Sequence, residues 1–162
     1  MVSNMKKIAI IFMLVVLLCV FGACPANGDT DDLDKNEPEQ EEITKMYITI
    51  YGNKLEVTLE NNSSAKALVE LLKQGNITYT ADDYGGFEKV GGIGHTLPRN
   101  DTSINTVAGD VILYQGNQLC LYYGNNSWTF TRIGKIIGYS ASELRNLLGA
   151  GKGSVEVTLS LN

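Results

Sequence analysis

The chain has 162 residues and a formal charge of −5, with 44% apolar residues, 17 Gly and 3 Pro. That is an ordinary globular balance for one domain plus tails, and it excludes a largely disordered chain. No basic patch is visible, so nucleic acid is not an expected partner.

The chain opens on Met1–Lys7, which carries Lys6 and Lys7, and continues into the uncharged apolar run Ile8–Phe21. Gly22 and Ala23 then precede Cys24. Charged start, apolar middle and small-residue exit make a signal-peptide pattern, expected to cover residues 1–23. The run is short for a membrane-spanning helix, which needs about 20 apolar residues. Phe21-Gly22-Ala23-Cys24 resembles a bacterial lipobox, with Phe21 where Leu is usual. Cys24 is therefore the expected lipidation site, and Cys19, preceded by Leu18, fits that role less well. The expected location is the extracytoplasmic face of the cell membrane, held there by the lipid. An uncleaved helical anchor and simple secretion are the alternatives.

Residues 24–44 hold the charge imbalance. Pro25–Thr44 carries eight acids and one base, a net of 1 − 8 = −7, whereas residues 45–162 hold ten of each sign. Like charge with little apolar content predicts a disordered, extended spacer. The domain is expected at residues 45–162. Its one cysteine, Cys120, lies in Leu119-Cys120-Leu121 and reads as a buried small hydrophobe rather than a nucleophile.

Met46–Tyr51 and Leu55–Glu60 each alternate with period two around Gly52-Asn53, which predicts a hairpin. Asn61–Ser64 offers capping side chains to a helix bearing Ala65, Leu68, Val69 and Leu72, stopped by Gly75. A short strand Ile77–Thr80 follows, then a Gly-rich irregular stretch over Asp82–Pro98, read as loop with short strands. Val111–Tyr114 and Leu119–Tyr123 read as a second hairpin around Gln115-Gly116-Asn117. Trp128–Ile133 alternates again, and Lys135–Tyr139 can continue it. Ser140 and Glu143 form a capping box for a helix with Ala141, Leu144, Leu147 and Leu148 on one side, ended by Gly149. Val155–Leu161 is a final half-buried strand. Seven or eight strands and two short helices predict a mainly β fold closed into a barrel, with the helices over its ends.

Several segments carry a resemblance. Asp83–Gly91, Leu97-Pro98, Gly109–Gly116, Tyr123–Gly134 and the closing Gly153–Leu159 resemble, in order and spacing, the bacterial cyclophilin-like family of small closed β-barrels. The resemblance covers nearly all of Met46–Leu161 and implies a closed eight-stranded barrel with two short helices. It does not imply prolyl isomerase activity. The Phe-His-Arg motif and the Gln-Phe-Phe strand of true cyclophilins are both missing, and His95 follows Gly94. Fold analogy is a weak warrant for chemistry.

The candidate ligand-binding residues are Tyr84, Phe87, Glu88, Tyr114, Trp128 and Arg132. Aromatic walls with one guanidinium suit a groove for a small molecule or peptide. Period two places Arg132 on the face of Trp128 and Phe130, where it needs a carboxylate such as Glu88 or a ligand anion. The structural salt bridge is the first reading of Arg132, as core packing is of Trp128. Asp82, Asp83 and Glu88 lack the ligand spacing of a hard-cation loop and read as turn carboxylates. His95 reads as a loop residue. Neither metal nor cofactor is called for, and no catalytic set is recognised. The expectation is a non-catalytic binding module tethered to the membrane. A divergent prolyl isomerase or other enzyme on the same fold, and a domain that contacts another envelope protein, are the alternatives.

Overall fold

A computed structural model describes residues 42–162. The expected signal segment, Cys24 and most of the acidic linker lie outside the described residues. No helix among the described residues is long and apolar enough to cross a membrane.

Among the described residues, nine strands and two helices follow in chain order: β1 Lys45–Ile50, β2 Asn53–Leu59, α1 Ser63–Leu72, β3 Ile77–Tyr84, β4 Glu88–Gly92, β5 Thr102–Thr106, β6 Asp110–Tyr114, β7 Gln118–Tyr122, β8 Asn126–Ile136, α2 Ala141–Leu147 and β9 Val155–Ser160. Pairing runs β2-β1-β9-β3-β4-β7-β6-β8, and β2 pairs back onto β8. Eight strands therefore close a ring, as the sequence leads one to expect. The ninth, β5, lies outside it and pairs only with the outer half of β8, from Thr102↔Phe130 to Thr106↔Asn126.

Local chemistry explains the elements. Ile50 pairs with Asn53, so the first hairpin turns on Tyr51-Gly52, both at positive φ (47° and 77°), and not on Gly52-Asn53. That is the pattern of a two-residue primed turn, which matches strand twist. The second hairpin turns as expected on Gln115-Gly116-Asn117, between Tyr114 and its partner Gln118. Asn62 caps α1 by accepting from the Ala65 amide at 2.9 Å, and its own amide donates to the Arg132 carbonyl at 2.8 Å, tying the helix to β8. Ser140 and Glu143 form the expected capping box on α2, although Ala141 is exposed and stays out of the helix's apolar side. Asp82 and Asp83 belong to β3 and not to a turn.

Two apolar clusters lie on opposite faces of the strands. The larger fills the ring with Ile48, Leu55, Val57, Val111, Leu113, Leu119, Leu121 and Val157, and takes Leu68 and Leu72 of α1 and Leu144 of α2. Alternation sends Ile112, Cys120, Tyr122 and Phe130 to the other face, where Ile104 of β5 joins them. Among the described residues, every buried apolar side chain and every ladder of the ring falls within 45–162. This segment has its own core and a closed hydrogen-bond network, the features that a unit able to fold alone requires.

Candidate functional site

The outer cluster forms the floor of an open cleft of about 760 Å³. Glu88 pairs with Tyr122, and Val90 with Cys120, so β4 and β7 lay these four side chains along one face. Tyr114 on β6 and Trp128 and Phe130 on β8 continue it. Tyr84, opposite Glu88 across the β3–β4 hairpin, and Phe87 at the hairpin tip close one side.

The walls pack edge and face. The Phe87 ring stacks on Tyr122 at 5.9 Å, and Tyr84 meets Phe87 edge-on at 6.0 Å. Phe130 is edge-on to both Tyr114 (6.1 Å) and Tyr122 (6.2 Å). Such offset and edge contacts add about 0.5–1.5 kcal/mol each beyond area burial. Phe87 is held from behind. Its carbonyl accepts from the amides of both Tyr123 and Gly124, at 2.8 and 2.9 Å. A side chain at Gly124 would place its Cβ 2.8 Å from that of Phe87, so the close approach requires glycine.

Five of the six candidates named from sequence meet here: Tyr84, Phe87, Glu88, Tyr114 and Trp128. Trp128 is 63% exposed, which corrects the core reading. It lies on the outer half of β8, where the strand faces the cleft and β5 rather than the ring interior. Arg132 does not join them. The buried Asp110 carboxylate draws its Nη2 to 3.2 Å and accepts Lys135 at 3.1 Å as well. Arg132 thus makes a structural salt bridge, as the first reading has it, but with Asp110 and not Glu88. Arg132 pairs with Ile112 across β6–β8 and lines a second depression with Glu60, Asn62, Asn100, Thr102 and Asn105.

Glu88 is the charged residue of the cleft. It is 6% exposed, and its Oε2 is buried without a hydrogen-bond partner. Burial pushes its carboxyl above the ordinary value, against the Tyr122 hydroxyl and Cys120 thiol, which pull it down. Burial likewise pushes the Cys120 thiol and the Tyr122 phenol up, with Glu88 adding to both, so Cys120 is a buried thiol and not a nucleophile.

The next residue, Lys89, faces the opposite way and is fully buried. Its Nζ lies 2.9 Å from Asp83 and donates to the Gly153 carbonyl. Asp83 also accepts from the Tyr123 hydroxyl at 2.8 Å and the Gly153 amide at 2.7 Å. Asp83 and Lys89 pair directly across the hairpin, one step from Tyr84 and Glu88, so this network anchors the cleft wall. His95 is an exposed loop residue. Among the described residues, no three His, Cys, Asp or Glu side chains are grouped to hold a metal ion.

Of the cleft residues, Tyr122, Cys120, Val90, Gln118 and Asn126 were not among the sequence candidates. Period two in Gln118–Tyr122 places the β7 members on one face, but the unbroken apolar run Leu119–Tyr123 hides that alternation.

The comparisons with known proteins agree on the fold. The cyclophilin-like family matches residues 48–160. The solution structure of a hypothetical protein from Archaeoglobus fulgidus is similar with a TM-score of 0.56 at 17% identity, over 77% of this chain and 99% of that one. The structure of McbB in complex with tryptophan is similar with a TM-score of 0.53 at 20% identity, over 71% of this chain and 44% of that one. This chain therefore spans less than half the length of McbB. At these identities the likeness is one of fold. No curated protein matches the chain in sequence.

Proposed function

The chain belongs to the cyclophilin-like family over residues 48–160, and from that premise we propose that it is a membrane-tethered extracytoplasmic lipoprotein whose barrel binds small, largely apolar molecules without catalysis. The tether reading rests on the signal pattern ending at Cys24 and on the acidic spacer behind it.

The binding reading is carried by one observation: five aromatic or acidic candidates converge on an open cleft outside the ring. Its volume falls within the range of about 300–1,000 Å³ usual for small-molecule sites. Tyr84 and Trp128, each 63% exposed, present ring surface to solvent that the fold itself does not cover. Large exposed aromatics beside an apolar floor mark a binding surface.

Trp128 is the chain's one tryptophan, so its fluorescence reports on the cleft directly. Titrating the 45–162 domain with a panel of aromatic small molecules should give saturable changes in intensity or wavelength. A Trp128→Phe variant, followed by calorimetry, should bind the same compounds more weakly. A panel that leaves Trp128 unchanged, or heats of binding that Trp128→Phe leaves unaltered, would overturn the reading.

A further inference from the structure

We propose that the cleft selects an organic cation: an ammonium group on an aromatic or apolar body, with the ammonium at Glu88 and the body between the aromatic walls. The inference rests on the binding reading above and names its ligand class.

Charge balance points to it. Glu88 is nine-tenths buried, and its Oε2 lacks a hydrogen-bond partner. Among the described residues, the basic side chains of the neighbouring strands are engaged elsewhere. Strand alternation turns Lys89 to the other face and onto Asp83. Asp110 holds both Arg132 and Lys135. The remaining titratable groups lining the cleft are Cys120 and the phenols of Tyr84, Tyr114 and Tyr122, none of which carries positive charge. A carboxylate removed from water without a counter-ion is costly, and an incoming cation relieves that cost. The walls favour the same guest. Aromatic faces are negative at their centres and attract ammonium groups, the more so when water is displaced. An anion meets the opposite conditions, since it would approach a carboxyl and ring faces of like sign.

The test is a matched set of probes on the 45–162 domain at pH 8: 2-phenylethylamine, 2-phenylethanol and phenylacetate, read by Trp128 fluorescence. The amine should bind about tenfold or more tighter than the alcohol, because both can donate to the Glu88 carboxylate but only the ammonium neutralises its charge, and phenylacetate should bind weakest. Glu88→Gln, which keeps the shape and removes the charge, should bring the amine down to about the alcohol's affinity and change the alcohol's far less. Lowering the pH until wild-type Glu88 is protonated should weaken the amine far more than the alcohol. If wild type binds alcohol and amine equally, the cation proposal fails and the cleft stands. If none of the three saturates a change in Trp128, both fail.

Discussion

Replacing Asp83 by Asn tests the network that anchors the cleft wall. The substitution keeps the shape but leaves Lys89, fully buried, without its counter-ion. Removing one member of a buried pair costs about 3–5 kcal/mol. Asp83 retains one-fifth of its side-chain exposure, which points to the lower end, about 3 kcal/mol. An independent route gives a similar figure. Burial alone would raise the Asp83 carboxyl, but hydrogen bonds from Lys89, Tyr123 and Gly153 outweigh it and hold it at about 2. Against an unfolded value of about 3.9, that depression contributes about 2–3 kcal/mol at neutral pH. The group is depressed, so its contribution is full above pH 4 and is lost as pH falls through 2. Urea unfolding of the 45–162 domain and of Asp83→Asn should differ by about 3 kcal/mol at pH 7. The gap should narrow between pH 4 and pH 2. A gap under about 1 kcal/mol at pH 7, or one that stays constant down to pH 2, would refute the assignment.

Three further outcomes are expected. Gly124→Ala forces a Cβ to within 2.8 Å of Phe87 Cβ, and overpacking of this kind costs about 1–3 kcal/mol. Thermal unfolding and an altered Trp128 emission should register both the loss and the displaced wall. Arg132→Ala should leave ligand affinity in the cleft unchanged, because the guanidinium is committed to Asp110, while its urea midpoint falls; a tenfold loss of affinity would return Arg132 to the site. Expressed in a lipoprotein-processing bacterium, the full chain should incorporate labelled fatty acid, and Cys24→Ala but not Cys19→Ala should abolish the label.

Where one physical signal dominated, the sequence was readable. Period-two alternation located the hairpins of β1–β2 and β6–β7, and capping side chains located both helices. Strand β5 escaped because Thr102-Ser-Ile-Asn-Thr106 offers one apolar residue, and its pairing to β8 is a tertiary fact. Strand β4 is anticipated only as an unplaced short strand within Asp82–Pro98, because Glu88-Lys89 puts a buried charge on each face, the reverse of what a strand pattern advertises. The cleft was legible in part: Tyr84, Phe87, Glu88, Tyr114 and Trp128 line it together. Arg132 was misplaced because alternation assigns a face but not the reach of a long side chain, and Asp110, two residues before Ile112 on the same face, sits closer. Trp128 was misread because an aromatic in an alternating strand usually packs inward, whereas the outer half of β8 has left the ring.

Glu88 links stability to binding with opposite signs. Its carboxyl is raised by burial, so the folded state disfavours its charged form. The penalty is present above its folded value and vanishes as pH falls below the unfolded one. Glu88→Gln should therefore unfold at a higher temperature than wild type at pH 8, with the difference shrinking toward pH 4. Ligand acts in the opposite direction. A hundredfold excess of 2-phenylethylamine over Kd stabilises wild type by about 2.7 kcal/mol. For a domain of this size that is about 10 °C in Tm. Glu88→Gln, binding about tenfold more weakly, gains about 1.4 kcal/mol at the same concentration. The two melting temperatures should converge as amine is added, and 2-phenylethanol should raise the two by more nearly equal amounts. Wild type melting higher than Glu88→Gln without ligand would show that the carboxyl is already compensated within the fold, and the case for a cationic guest would lose its footing.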